Sequence, residues 1–268
     1  MSELPELRGR CPRHVASRPA ADGWNVCGVG DWATVWRSPD GGSAARVSPF
    51  EPAFGVFTAL CRELEGHPLL PRIDFDAPLE GGGRLTAMEF LRPAEPEAAE
   101  AVWRRWDEAG SDEPITAVRR EAERLDEEAA EAIPYWGGLD RDPGNVMLGV
   151  EGTAKLVDLF YVNGLELYAL LRDDPCEVAS RIPAERRRHI AEIGALTRLS
   201  TPDELERLRK AAAGIAWTTA AVAGARPARV FRPGPRRVVV PSASRRSNTT
   251  GSGTWKSDFP SSPTATRR

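Results

Sequence analysis

The apolar positions of this chain fall into two regimes. Between Gly23 and Leu91 they form short runs cut by Gly and Pro, the spacing of strands and turns. Residues 24–27 make one run. Gly28-Val29-Gly30-Asp31-Trp32-Ala33-Thr34-Val35-Trp36 then alternates small and bulky residues up to the turn Ser38-Pro39-Asp40-Gly41-Gly42. Residues 44–47 supply a third strand, and residues 69–75 and 84–91 two more, on either side of Glu80-Gly81-Gly82-Gly83. One helix interrupts them, with Phe54, Phe57, Leu60 and Leu64 at helical spacing. From residue 95 to 132 the period is helical. Val102, Trp103 and Trp106 mark one face, and Ile115, Val118, Ala122, Leu125 and Ala129 another, with Gly110 to Pro114 as the break. Further helices are predicted over 165–171, through Ile190, Ile193, Leu196 and Leu199, and after the start signal Thr201-Pro202-Asp203-Glu204. Residues 1–22, with Pro5, Pro12 and Pro19 and no sustained period, read as a flexible N-terminal arm.

Between the helices lies Gly138-Leu139-Asp140-Arg141-Asp142-Pro143-Gly144-Asn145-Val146-Met147-Leu148, then a turn at Glu151-Gly152, then Lys155-Leu156-Val157-Asp158-Leu159-Phe160. A single Asp or Asn in a Pro/Gly loop is ordinary turn chemistry. Three of them in order, delivered by loop, strand, turn and strand, suggest more. Phosphoryl transfer from ATP uses one carboxylate to orient the acceptor hydroxyl, and an amide oxygen and a second carboxylate to hold Mg²⁺. Asp140, Asn145 and Asp158 supply all three. The G-x-G-x-x-A of Gly28, Gly30 and Ala33 continues as strand through Val35, so it predicts a hairpin whose backbone can approach phosphates, not the helix-opening turn of a dinucleotide fold.

These residues resemble the protein-kinase-like superfamily. Asp140 and Asn145 stand as its catalytic-loop pair and Asp158-Leu159-Phe160 as its metal-binding Asp-Phe-Gly. The Asp-x-x-Pro-Gly-Asn wording is most similar to the aminoglycoside phosphotransferase branch, with Gly138 in place of the usual histidine. The resemblance implies an α+β, two-lobed fold: a small antiparallel β lobe with one helix (23–92) and a mostly helical large lobe (93–222). It implies catalysis by Asp140, Asn145 and Asp158, Mg²⁺ on Asn145 and Asp158, and ATP against Gly28, Gly30, Ala33, Val35, Arg46, Met88, Glu89 and Leu91. Arg46 replaces the strand lysine, and the helix glutamate expected to pair with it is Thr58, with Glu51 and Glu63 off register. The segment after Asp158 is too short for a peptide platform, which favours a small-molecule hydroxyl acceptor. Two alternatives stand beside this one: a Ser/Thr protein kinase, and a pseudokinase that keeps the fold as a binding module.

At 268 residues and 41% hydrophobic content the chain can bury a large core. No apolar run is long enough to span a membrane and no secretory signal opens the chain, so a cytoplasmic monomer without membrane association is expected. Cys11, Cys27, Cys61 and Cys176 are scattered and lack neighbouring histidines, which reads as incidental thiols. Of 36 basic and 39 acidic residues, ten basic and one acidic fall after Gly224. An acidic body with a basic Pro/Ser-rich segment at 223–268 argues against a nucleic-acid-binding core and for a disordered tail.

Overall fold

The computed structural model describes residues 4–108, 110 and 113–208, all within the compact unit Met1–Ala225. The segment expected to be a disordered basic tail lies outside the described residues, as do the last turns expected beyond Leu208. The architecture is mixed α+β. A helix α1 (Pro12–Ala21) leads into strands β1 (Asn25–Val29), β2 (Thr34–Arg37) and β3 (Ser43–Ser48). Helix α2 (Phe54–Glu63), strands β4 (Ile73–Pro78) and β5 (Arg84–Glu89) and a short β6 (Arg92–Pro93) follow. Strands β1 to β5 form one antiparallel sheet in the order β1-β2-β3-β5-β4. Helices α3 (Pro96–Glu108) and α4 (Pro114–Ala132) precede strands β7 (Trp136–Leu139), β8 (Val146–Leu148), β9 (Ala154–Leu156) and β10 (Phe160–Val162). Helices α5 (Gly164–Asp173), α6 (Pro175–Arg181), α7 (Ala184–Arg187), α8 (Gly194–Leu199) and a last helix over 202–208 complete the described chain. No helix among the described residues is long and apolar enough to cross a membrane.

Strand β3 explains how the layers are assembled. Its side chains alternate faces, as any strand's must. Ala45 and Val47 join Val15, Leu79 and Leu85 in one core, while Ala44 joins Phe54, Phe57, Leu60 and Met88 in another. The strand is therefore buried on both sides. The cover on the first side is α1, whose Val15 is fully buried, and this corrects the expectation of a flexible arm over 1–22. The helix carries few apolar residues and a proline, Pro19, near its end, so its periodicity is faint. On the second side α2 packs beneath the sheet, and its core runs on without a break into α3 and α4 through Trp103, Trp106, Ile115, Val118, Ala122 and Leu125. The faces predicted for α3 and α4 are the buried ones. A separate core, with Tyr135, Leu167, Leu171, Ile182, Ile190 and Ile193, holds the C-terminal helices together. There the single predicted helix through residues 190–199 is instead a 3₁₀ turn, Ile190–Glu192, followed by α8.

Candidate active site

Helix α4 ends at Ala132, and the chain turns through Tyr135, held at φ +62°, into β7. β7 pairs with β10, Leu139 opposite Phe160 and Gly138 opposite Tyr161. This pairing draws the two predicted loops together, and the Asp140 N–H donates to Leu159 O at 2.8 Å. Gly138 sits at φ +97°, with Asp126 Oδ1 3.7 Å from where a Cβ would be. A histidine would be strained there, which accounts for the glycine. Residues Pro143–Asn145 make one 3₁₀ turn capped by Asp142, whose Oδ1 accepts from the Gly144 N–H at 2.7 Å. Asp142 thus caps the turn, and Asp140 makes the matching bond one step earlier, its Oδ1 accepting from the Asp142 N–H at 3.1 Å.

Asn145 fastens the loops. Its Nδ2 donates to Asp140 O at 3.3 Å and to Asp158 O at 3.2 Å, and its carbonyl accepts from the Val157 N–H at 2.8 Å. The carboxamide oxygen accepts no hydrogen bond among the described residues. Asp158 is one of two non-glycine residues with positive φ (+49°) among the described residues, a conformation that Asp tolerates better than most and that recurs at functional positions.

Arg46 lies on the α2-facing side of β3, its guanidinium 3.8 Å from the Phe54 ring centroid. Its Nη1 pairs with Glu51 at 2.7 Å and its Nη2 lies 3.6 Å from Asp158 Oδ2. Glu51, ahead of α2 and outside its periodic register, is therefore the carboxylate that pairs with Arg46. Thr58 does not face Arg46. It is fully buried, with its hydroxyl oxygen 3.1 Å from Asp76 Oδ2 and accepting from Arg84 at 2.9 Å, inside a polar network between α2, β4 and β5. Glu63 is exposed.

Two carboxylates, Glu51 and Asp158, thus flank a single guanidinium, and a third, Asp140, lies near enough to Asp158 for its charge to act on it. Asp158 keeps 39% of its side-chain surface exposed, yet the protein crowds it closely. That desolvation, with the charges of Glu51 and Asp140 and against the attraction of Arg46, pushes its carboxyl up to about 7. Desolvation also raises the Asp140 carboxyl, opposed by bonds from the Asp142 N–H and the Asn145 side chain. A site with this surplus of negative charge favours a cation.

The remaining predicted residues divide. Val35 lies opposite Arg46 in the β2–β3 register, Met88 opposite Ala44 in β3–β5, and Ala33, Met88 and Leu91 are buried. Glu89 points its carboxylate elsewhere, accepting from the Arg72 N–H at 2.8 Å and pairing with Lys155 at 3.3 Å. Gly28 stands opposite Val35. The Gly30 N–H is committed inside the hairpin to Ala33 O at 2.8 Å. The tip of the hairpin is fastened to α8: Ala195 N–H donates to Asp31 O at 2.8 Å, and Arg198 donates to Gly30 O at 2.9 Å and pairs with Asp31. Trp32 packs between Phe50 and Tyr168, ring centroids 6.2 and 5.8 Å away. Neither the Glu51 pairing nor this fastening was visible in local sequence.

No known family model matches the chain, and no curated protein matches it. Among solved structures, a chain from the structure titled "Structure of the CAK complex form Chaetomium thermophilum bound to ATP-gamma-S" is similar at 17% identity and a TM-score of 0.32. The match covers 55% of this chain and 50% of that one. The chain thus spans half the length of the structure it matches, and a likeness at that score fixes neither fold nor activity.

Proposed function

We propose that the protein is an ATP- and Mg²⁺-dependent phosphotransferase that moves the γ-phosphate to a hydroxyl of a small molecule, on a kinase-like fold whose sheet and helical parts act as two lobes. The observation that carries the reading is the convergence of Asp140, Asn145 and Asp158 beside the Arg46–Glu51 pair. The donor set fits the ion: the Asn145 carboxamide oxygen and the Asp158 carboxylate are hard oxygen ligands of the kind Mg²⁺ takes. Mg²⁺ bound there would neutralise charge on the phosphates.

The chain's own groups do the rest by positioning. Asp140 Oδ1 is held by the Asp142 N–H at 3.1 Å, which aims Oδ2 at the acceptor, where it orients the hydroxyl and takes its proton. Arg46 places a fixed positive charge beside Asp158, for the nucleotide phosphates. Only Asn163 separates β10 from α5, so the described residues offer no extended platform for a peptide, in keeping with a small acceptor.

The test is nucleotide-dependent turnover, read as ADP release across a panel of hydroxyl-bearing small molecules. Asp158→Ala is expected to abolish it and to remove stabilisation by Mg·ATP, while Asp140→Ala abolishes turnover but keeps the stabilisation. Turnover that survives both substitutions defeats the assignment. The committed Gly30 N–H and the wedged Trp32 favour a second reading, a module that keeps the fold without the chemistry. A thermal melt unmoved by Mg·ATP over a wide concentration range would select it, because a ligand that prefers the native state raises the melting point.

A further inference from the structure

Three segments far apart in sequence meet at one edge of the sheet: the entry to α1, the β4–β5 turn, and the stretch after α7. The Glu80 N–H donates to Arg10 O at 3.0 Å, which sets Glu80 beside Cys11. Gly81 and Gly82, at φ +71° and +88°, let the turn lie flat on residues 186–189. A Cβ on Gly81 would come within 2.4 Å of His189 Cδ2, and one on Gly82 within 2.1 Å of Arg186 O. This close approach brings one ligand atom each of Cys11, Glu80 and His189 within 4.8 Å of one another.

The state of His189 points to what belongs there. The residue is only 8% exposed. Its Nδ1 lies 2.8 Å from Glu192 Oε1, and Glu192 is itself held by two bonds from Arg13, each 2.9 Å. With Nδ1 engaged by Glu192, Nε2 is the ring nitrogen left for another partner. Nε2 is buried with no hydrogen-bond partner among the described residues, and a Cβ on Gly81, the neighbour of Glu80, would lie 3.2 Å from it. Buried polar atoms without partners are uncommon in proteins and call for an account. A histidine oriented by a carboxylate, with its other nitrogen free, is how metal-ligating imidazoles are held.

We propose that Cys11, Glu80 and His189 form a structural site for a Zn²⁺-class divalent ion. Thiolate, imidazole and carboxylate together suit Zn²⁺, whereas Mg²⁺ and Ca²⁺ take oxygen ligands. A tetrahedral ion would draw the ligand atoms to about 3.5 Å from one another. Rotation of the partly exposed Cys11 and Glu80 side chains supplies that closure while His189 stays fixed. Glu80 already pairs with Arg188; one carboxylate oxygen can keep that pair and the other turn to the ion. Thiolate and carboxylate would neutralise the ion's charge, and water would complete its coordination. The ion would fasten α1, the β4–β5 turn and the segment before α8, and none of its ligands belongs to the proposed phosphotransfer site.

The experiment titrates the metal-free full chain with Co²⁺ as a spectroscopic stand-in, then with Zn²⁺. The expected result is a thiolate-to-cobalt band at one equivalent, displaced by one equivalent of Zn²⁺. Cys11→Ser should abolish the band and weaken Zn²⁺ binding at least 100-fold. Glu192→Gln, which removes a positioning group, should keep the band with affinity weakened about 10- to 100-fold. No thiolate band, or one undiminished in Cys11→Ser, overturns the proposal. A second measurement needs no variant: Zn²⁺ should slow alkylation of Cys11 at least tenfold while the exposed Cys176 reacts at an unchanged rate. Equal slowing of both, or of neither, also overturns it.

Discussion

The buried ion pair Arg46–Glu51 makes a quantitative prediction that separates stability from function. The two side chains keep 10% and 4% of their surface and meet at 2.7 Å. At an effective dielectric of 20 the gross attraction is about 6 kcal/mol. Most of it is offset by removing both charges from water, so the pair as a whole is near neutral for stability. Breaking it from one side is different, because the orphaned charge keeps its desolvation cost, about 3–5 kcal/mol in general. Here Arg46 would retain Asp158 at 3.6 Å and the Phe54 ring at 3.8 Å. Glu51→Ala should therefore cost about 3 kcal/mol, the low end of that range. Glu51→Gln, which keeps an acceptor for the guanidinium and for the Phe54 N–H, should cost about half as much. Replacing both partners by apolar groups, Arg46→Met with Glu51→Leu, should be within about 1 kcal/mol of wild type or more stable, yet should lose stabilisation by Mg·ATP. Urea unfolding followed by tryptophan fluorescence, with and without Mg·ATP, measures all four proteins. A cost below about 1 kcal/mol for Glu51→Ala would refute the reasoning, as would a double variant no more stable than Glu51→Ala.

Other consequences follow from single sites. The folded-state Asp158 carboxyl is pushed up to about 7 against an unfolded value of about 3.9, so the folded chain holds the extra proton between them. Its contribution to stability is complete below about pH 4 and is lost as pH rises through 7. With the side chain 39% open, solvent screening reduces the effect to about 1–2 kcal/mol. Asp158→Asn, which tolerates the positive φ, should flatten this slope in unfolding measured from pH 4.5 to 8.5, and an unchanged slope would show the carboxyl titrates normally. Gly82→Ala must place a methyl 2.1 Å from Arg186 O at φ +88°, whereas Gly66→Ala, at φ +79°, meets nothing within 4 Å. The first should cost at least about 2 kcal/mol more than the second, and equal costs in denaturant melts would contradict the close approach. Trp32→Ala removes the half-buried wedge between Phe50 and Tyr168. It should cost about 2 kcal/mol and speed amide exchange over residues 28–35; exchange there as slow as in wild type would mean the α8 contacts alone hold the hairpin.

What could be read from the chain, and what could not, divides along the range of the interactions. The faces of α3 and α4 and the β hairpins come from short spacings, and each is legible because the cause lies next to the effect. Asp140, Asn145 and Asp158 lie within nineteen residues folded as loop, strand, turn and strand, and the pairing of β7 with β10 brings the two loops together. Glu51 was set aside as off register, but its pairing with Arg46 needs no helical register. It reaches Arg46 from the connection between β3 and α2, and a pattern search keyed to the helix settles on Thr58 instead. Helix α1 was hidden because one buried valine and two buried prolines suffice to seat it, too few to impose a period. The meeting of Cys11 with Glu80 and His189 has no local signal at all. It depends on two glycines that let one turn lie against backbone more than a hundred residues later, so the neighbours of Cys11 are set by the absence of side chains at Gly81 and Gly82.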